Sequence, residues 1–330
     1  MNISFQSPEG GSALSMKGRY TILLAPVLAL AAMAAACGGS SAGGELTGTI
    51  LIDGSSTVAP LSEAAAELYQ AEQPGVRVTV GTSGTGGGFE KFCIGETDLS
   101  DASRPIADDE IELCGENGIE SEAIQVANDA LSIVVNPENP VDCLTTEQAK
   151  QIWDAGSKVK TWGDIDGLDL PAEAAGQTID LYGAGTDSGT FDFFTDAING
   201  EEGRIRTDYN SIGEDDQAAI VAVEGDTYAM GFIPYSFVQE AGEQVKAVQI
   251  DAGSGCVDAT LENVQTGTYV PLGRPLFVYA SGSALEREEV LDFLEFYVAN
   301  AVGVAEAATF VPLTAEQITE QEAKIEELTA

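Results

Sequence analysis

Short apolar runs alternate along the chain with segments whose apolar residues recur at helical spacing. The runs predict strands at 49–52, 76–80, 131–135, 178–182, 229–233, 245–250 and 276–280. The helical spacing predicts helices near 60–71, 87–94, 145–154, 190–198, 214–224 and 286–303, and an exposed acidic helix at 315–329. Strands that alternate with helices are typical of an α/β protein with a mostly parallel sheet. The 330 residues are enough for two lobes, each with its own core.

Three of the predicted strands run into turns that are rich in glycine and hydroxyl side chains. These turns are Asp53-Gly-Ser-Ser-Thr-Val-Ala-Pro60, Gly81-Thr-Ser-Gly-Thr-Gly-Gly-Gly88 and Gly183-Ala-Gly-Thr-Asp-Ser-Gly-Thr190. Each leads into a predicted helix, so its free backbone N–H groups lie at the positive end of a helix dipole. Such a turn can bind an anion. We therefore expect the three turns to converge on one tetrahedral oxyanion.

A fourth segment, Asp98-Leu-Ser-Asp-Ala-Ser-Arg-Pro-Ile106, adds charge. Ser103 offers a hydroxyl, and the guanidinium of Arg104 matches two oxygens of phosphate or sulfate. Asp101 has two interpretations. It accepts a proton carried by phosphate, which sulfate lacks at neutral pH, or it only pairs with Arg104 or caps a turn.

Composition narrows the function further. The chain has 14 Lys and Arg against 54 Asp and Glu, a formal net charge of −40, so nucleic acid is not an expected partner. Salt screens distant charge within ~8 Å, and anion selectivity must therefore come from short-range donors. The chain has no histidine, which excludes Ser-His-Asp and Cys-His nucleophiles and His-based metal sites. We expect neither a cofactor nor a metal. The glycine turns also lack a P-loop ending, which disfavours nucleotides.

The N-terminal region has the pattern of an export signal. A basic segment at 16–19 precedes the apolar 20–32 and a small-residue stretch that ends at Cys37, and Met16 is a possible true start. Cys37 lies where bacterial lipoproteins are lipidated; the alternative is ordinary signal cleavage. The Gly/Ser-rich segment after it predicts a flexible tether.

Four more cysteines lie beyond the signal, at 93, 114, 143 and 256. In an oxidising compartment an even number argues for two disulfides, with three possible connectivities. We favour Cys93–Cys114, which closes a local loop, and Cys143–Cys256, which ties distant segments together. A metal site is the rival, but no CxxC pair is present.

Taken together, these motifs resemble those of the phosphate-binding lipoproteins that serve phosphate ABC importers, across residues 48–312. The resemblance implies the type II periplasmic binding protein fold: two lobes, each a mixed, mainly parallel sheet flanked by helices, with the ligand cleft between them. The segments that carry it are 53–61, 84–89, 102–106, 152–153 with 161–164, 185–191, 231–235 and 274–277.

The resemblance also implies site residues. From the first turn these are Ser56, Thr57 and the Val58 amide; from the second, Ser83, Thr85 and Gly86; from the third, Ser188, Gly189 and Thr190. Asp101, Ser103 and Arg104 complete the candidate phosphate site. Many family members carry an arginine four residues before the third-turn serine, where this chain has Ala184, so Arg104 is expected to supply the charge instead.

We expect residues 1–36 to be the signal, 37–47 the lipidated cysteine and tether, 48–135 with about 240–330 one lobe, and 136–239 the other. The expected function is an extracytoplasmic, lipid-anchored, monomeric receptor that captures inorganic phosphate and delivers it to a membrane permease, without chemistry on the ligand. Alternatives are a receptor for sulfate, molybdate or tungstate, a secreted phosphohydrolase with Ser188 or Thr190 as nucleophile, and a surface sensor.

Overall fold

A computed structural model describes residues 46–329, and the predicted signal and Cys37 lie outside these residues. The strands are β1 Gly48–Gly54, β2 Val76–Gly81, β3 Leu99–Ala102, β4 Ser121–Val135, β5 Cys143–Thr145, β6 Leu181–Gly183, β7 Asn210–Ser211, β8 Met230–Pro234, β9 Lys246–Ala247, β10 Gln249–Asp251, β11 Cys256–Val257 and β12 Gly273–Ser281. No helix among the described residues has the length and apolar character that crossing a membrane requires.

Most of the segments that were predicted to be helical are helices in the structure. They are α1 Ala59–Glu72, α2 Gly84–Phe92, α3 Asp108–Glu116, α4 Thr146–Trp153, α5 Ala172–Ala175, α6 Gly189–Phe194, α7 Asp216–Gly225, α8 Tyr235–Ala241, α9 Leu261–Gln265, α10 Gly282–Leu285, α11 Glu288–Ala299, α12 Ala301–Ala307 and α13 Ala315–Leu328. Short 3₁₀ turns occupy Trp162–Asp164 and Gly242–Gln244, and a π-helical turn, Thr195–Asn199, continues α6.

Within residues 46–329, nine strands form one sheet in the order β2-β1-β3-β12-β4-β8-β6-β7, with β9 paired to β4. The outer groups, β2-β1-β3 and β8-β6-β7, are parallel. The central β12 and β4 run antiparallel to their neighbours. A second sheet has the order β11-β10-β5. The predicted α/β class is confirmed, with antiparallel pairing where the chain crosses the middle of the sheet.

Strand β4 changes partner along its 15 residues. Residues 121–130 pair with β12, and 131–135 pair with β8. Its central and final residues are buried on both faces, which explains why 131–135 is a mainly apolar run rather than an alternating one. The predicted division of the chain, with 136–239 as one lobe, stays a prediction.

The apolar core has two main groups, one on each side of this crossing. One surrounds Trp153, whose ring meets Phe194 and Phe232 edge-on, while those two rings stack on each other at 3.8 Å. The other joins β1, α1 and α11 around fully buried side chains that include Phe293 and Tyr297. Each group covers one end of the long strand, so the two groups meet near the middle of the sheet.

Both predicted disulfides are confirmed. Cys93 and Cys114 lie 21 residues apart in sequence with their Cα atoms 4.2 Å apart, and Cys143 and Cys256 lie 113 residues apart with their Cα atoms 6.0 Å apart. The second bridge joins β5 to β11 across the small sheet.

Two strand predictions were wrong in detail. The run at 245–250 is not one strand: β9 pairs with β4 and β10 pairs with β5, so its two ends belong to different sheets. The strand predicted at 178–182 is limited to Leu181–Gly183. The four-residue β3 and helix α3 were not predicted, because β3 is too short to show a period and α3 carries acidic residues throughout its first turn.

Candidate functional site

The first predicted turn lies where β1 ends and α1 begins. Ser55 donates its amide to the carbonyl of Asp101 at 2.9 Å, which ties the turn to β3. Val58 is fully buried and uses its amide in a 3.2 Å bond to the Ser55 carbonyl. The Val58 amide is therefore engaged within the turn, and its predicted contact with phosphate stays a prediction, whereas Ser56 and Thr57 line the cleft.

The second turn opens α2 and packs directly on the first. A Cβ atom on Gly88 would lie 2.5 Å from the Cα of Gly54, so only glycine allows this approach. Ser83 does not face the cleft: its amide and hydroxyl both donate to Oδ1 of Asp53, the amide at 3.0 Å. Ser83 thus ties the second turn to the end of β1, and its predicted contact with phosphate stays a prediction.

Thr85 and Ser103 form a hydroxyl pair beside the second turn. Their Oγ atoms lie 3.2 Å apart, and the Ser103 amide donates to Thr85 Oγ1 at 3.3 Å. Arg104 follows and forms a two-bond pair with Glu110, at 2.8 and 2.7 Å. Because a Cβ on Gly86 would lie 3.8 Å from Arg104 Nη2, this guanidinium lies against the second turn.

The third turn caps the short helix α6. Ser188 Oγ accepts a bond from the Thr190 amide at 3.3 Å, and Ser188 itself is buried. A Cβ on Gly189 would lie 3.3 Å from Thr57 Oγ1, so the third turn meets the first across the cleft. The first and third turns therefore lie together in the structure, and the convergence of all three turns on one oxyanion stays a prediction.

Two adjoining cavities share Ser56 and Thr57. The larger cavity, about 390 Å³, reaches Ser188, Gly189 and Thr190. The smaller cavity, about 290 Å³, is lined by Ser55, Gly84, Thr85, Gly86, Ser103, Arg104 and Arg274, together with the acidic side chains of Asp192, Asp196 and Glu202. Nine of the twelve predicted residues line these cavities; Val58, Ser83 and Asp101 do not.

Asp101 lies beneath the site rather than in it. Its side chain is fully buried, accepts a bond from Ser62 Oγ at 2.8 Å, and lies near Tyr297. Burial raises the pKa of Asp101 to about 8, because a carboxylate there has lost its water. Asp101 lines neither cavity, and its alternative pairing with Arg104 was wrong, since Glu110 takes that arginine. Its contact with a ligand proton stays a prediction.

Sequence reasoning missed an ion pair at the centre of the cleft. Arg274 on β12 lies directly opposite Asp129 on β4, and Oδ2 of Asp129 accepts bonds from Nε at 3.3 Å and Nη2 at 3.2 Å. The same Nη2 donates to Thr57 Oγ1 at 3.2 Å, and the guanidinium stacks on Phe193 of α6 at 3.6 Å. Arg274 stood in a segment that carries the family resemblance, but no local pattern links it to Asp129, 145 residues away.

In the Arg274–Asp129 pair, burial and ion pairing shift the pKa values of both groups in opposite directions. Burial raises the pKa of Asp129, while the guanidinium of Arg274 lowers it. Burial likewise lowers the pKa of Arg274, and Asp129 opposes that change. Since each charge offsets the desolvation of the other, we infer an ionised pair that holds Arg274 in place. Its Nη1 group makes no hydrogen bond within residues 46–329, which leaves donors for a ligand.

A polar cleft between two cores, walled by strand-to-helix turns that meet across it, defines the class: a two-lobed α/β binding protein. A family model described as a PBP superfamily domain matches residues 39–301, and the chain belongs to this superfamily.

Individual relatives show more closely which proteins this chain is similar to. The chain is 40% identical over 275 residues to Protein SphX of Synechococcus elongatus, covering 82% of this chain and 79% of that one. It is 35% identical over 294 residues to the phosphate-binding protein PstS of Staphylococcus saprophyticus, covering 88% of both. A crystal structure of a possible phosphate-binding protein from Planctomyces limnophilus superposes with a TM-score of 0.80 at 36% identity, over 86% of this chain and all of that one.

Proposed function

We propose that this protein is an extracytoplasmic receptor that binds inorganic phosphate in the cleft and delivers it to the permease of an ABC importer. The observation that carries the proposal is the meeting of the first and third turns at Thr57, beside two arginines with unused donors. The relatives named as phosphate-binding proteins support the choice of ligand.

The proposed site has neutral donors on both walls. Ser56, Thr57, Thr85 and Ser103 contribute hydroxyls from one side, and the Ser188–Thr190 turn contributes from the other. A ligand that bonds to both walls stabilises the closed arrangement relative to the open one, and the permease recognises the closed arrangement. Arg104 and Arg274 supply positive charge, which compensates for the alanine at position 184.

No chemistry on the ligand is proposed. Among residues 46–329 there is no group of three or more acidic or cysteine side chains that could hold a metal ion, and the chain has no histidine to act as a base. We further propose that Cys37 carries a lipid anchor, that the receptor is a monomer, and that 37–47 acts as a tether. Replacing Cys37 with alanine should release the protein from the membrane fraction.

Calorimetric titration of the purified, phosphate-free protein tests the proposal. Phosphate should bind tightly, and sulfate should give no heat. Arg104→Ala should abolish tight binding without lowering the melting temperature, since its pair with Glu110 is at the surface and contributes little to stability. Arg77→Ala is the matched control, because Arg77 is exposed on β2 and should bind phosphate like the parent.

Two results would contradict the proposal, and a third would change only the set of residues assigned to the site. Binding of sulfate or molybdate with no response to phosphate would reassign the ligand. Turnover of a chromogenic phosphate ester would show an enzyme. An unchanged affinity in Arg104→Ala would remove that side chain from the site while leaving the receptor function in place.

A further inference from the structure

Arg104 and Arg274 are held in the cleft in different ways. Each oxygen of the Glu110 carboxylate accepts one bond from Arg104, at 2.7 and 2.8 Å. The two bonds from Arg274 to Asp129 end on a single oxygen, Oδ2, at 3.2 and 3.3 Å, and a further bond reaches Thr57 Oγ1 at 3.2 Å. Parallel bonds to both oxygens of one carboxylate fix the plane of a guanidinium. Arg274 is bound at one oxygen of each of two residues, so these bonds alone leave it free to rotate about the line between them.

The ring of Phe193 restricts this rotation. The central carbon of the Arg274 guanidinium lies 3.6 Å from the centre of the ring, which is close enough only if the two planar groups lie face to face. The negative face of an aromatic ring attracts a cation, and the attraction is stronger where water is excluded. Phe193 is 3% exposed and the Arg274 side chain 17%. Arg104, by contrast, is 43% exposed and lies 5.9 Å from the ring of Phe89, so Glu110 rather than a ring fixes its position.

Helix α6 brings this ring to the arginine. Gly189 and Phe193 are four residues apart in α6, so they lie on the same face of the helix. A Cβ on Gly189 would lie 3.3 Å from Thr57 Oγ1, and Phe193 contacts Arg274, which itself donates to Thr57. The helix thus meets the opposite wall of the cleft at two points one turn apart. The same contacts therefore set the position of the third turn and the orientation of Arg274.

Carboxylates near the ring offer Arg274 other partners. Asp192, Asp196 and Glu202 line the smaller cavity together with this arginine. Burial lowers the pKa of Arg274, and negative charges around it, which include those of Asp196 and Glu202, raise it. A guanidinium that could rotate would turn towards these carboxylates, and its donors would no longer be available to a ligand. The ring prevents this rotation because the guanidinium would have to leave its face.

We propose that Phe193 is a positioning residue of the phosphate site: its ring holds the guanidinium of Arg274 in the orientation that leaves Nη1 available to the ligand. Phe193 lines neither cavity, so it acts through the arginine and not on the ligand. This inference rests on the proposed phosphate-receptor function.

Calorimetry with inorganic phosphate tests the role of the ring. Phe193→Leu should weaken binding about tenfold, which is the loss expected for a cation–π contact shielded from water. Phe191→Leu is the matched control, because Phe191 is equally buried in the same helix and lines neither cavity. It should lower the melting temperature to a similar extent and keep the affinity of the parent. Phe193→Met, which also lacks a ring but keeps more of the side-chain volume, repeats the test if the leucine variant does not fold.

A double-mutant cycle separates positioning from helix packing. Arg274→Lys keeps a positive charge beside Asp129 but lacks the planar group that lies on the ring. In this background Phe193→Leu should change the affinity by less than about twofold, because there is no guanidinium left to orient.

The possible results distinguish this inference from the function on which it rests. A loss of the same size in both backgrounds, or equal losses in Phe193→Leu and Phe191→Leu, would overturn the inference, since the ring would then only support the helix. Parent affinity in Phe193→Leu would overturn it as well, while leaving the proposed receptor in place. No binding of phosphate to the parent protein would overturn the proposed function and this inference together.

Discussion

Replacing Asp101 with asparagine should change how stability depends on pH. Asp101 lies on β3 beneath the first turn, and its carboxyl group is fully buried. Oδ1 accepts a bond from Ser62, and Oδ2 has no hydrogen-bond partner within residues 46–329. Burial raises the pKa to about 8, and the charges of Asp53 and Glu63 add to the effect. The folded protein therefore holds a neutral carboxyl group at this position at neutral pH.

The direction in which stability changes with pH follows from proton linkage. A carboxyl group whose pKa is higher in the folded state binds a proton more tightly there than in the unfolded chain. The stability that this contributes is complete below the unfolded pKa, near 4, and is lost as the pH rises towards about 8. The loss amounts to about 1.4 kcal/mol for each pH unit within this window. Between about pH 5 and about pH 8 it sums to about 4 kcal/mol.

An asparagine side chain does not titrate, so Asp101→Asn removes this slope. The variant has a fixed cost as well, because the amide group introduces donors that find no partner, at about 1–3 kcal/mol. We therefore expect the variant to be less stable than the parent near pH 5 and more stable near pH 8. The two stability curves should cross between these values.

Urea unfolding with intact disulfides, at intervals of about one pH unit, measures the difference in the free energy of unfolding. Repulsion among the many surface carboxylates also depends on pH, but it is common to both proteins and cancels in the difference. A difference that stays constant with pH, or that moves against the variant as the pH rises, would refute a neutral, buried Asp101.

Two further predictions concern a disulfide and a glycine that stabilise the structure around the site. The disulfide between Cys143 and Cys256 closes a loop of 113 residues. Its removal with Cys143→Ser and Cys256→Ser should therefore lower the free energy of unfolding by about 4–5 kcal/mol. A loss below about 1 kcal/mol in urea unfolding would contradict this expectation. Gly88→Ala should weaken phosphate binding about tenfold or more in calorimetry, since the new Cβ would force α2 away from Gly54. Gly115→Ala in α3 meets open space and serves as its control; equal affinities in the two variants would argue against the close contact.

Local chemistry made the three turns predictable. Each consists of an apolar strand, a short stretch of glycine and hydroxyl residues, and a helix, and all of these signals lie within about fifteen residues of sequence. The structure places α1, α2 and α6 where these signals indicate. The disulfide pairing was also within reach, because four cysteines allow few connectivities.

The roles of individual side chains were harder to predict from the sequence. Ser83 matched the expected ligand chemistry, yet Asp53, thirty residues earlier, takes both its amide and its hydroxyl. Asp101 stands three residues before Arg104 in sequence, but the buried strand β3 directs its carboxyl group towards Ser62 and away from the arginine. The hydrogen-bond partner of a polar side chain depends on which helices and strands pack against it. That packing could not be predicted from the sequence alone.

The sequence by itself determined the α/β class and the three strand–turn–helix segments, because each depends on the order and spacing of neighbouring residues. For the two disulfides it left three possible pairings, of which the favoured one is present. The tertiary structure alone decided which donors face the cleft and how its charge is balanced. The clearest case is the pair of Arg274 and Asp129, which the antiparallel register of β12 and β4 brings opposite each other across 145 residues. Register is a property of two strands together, fixed by packing on both faces of the sheet, and so no pattern along one strand could have revealed it.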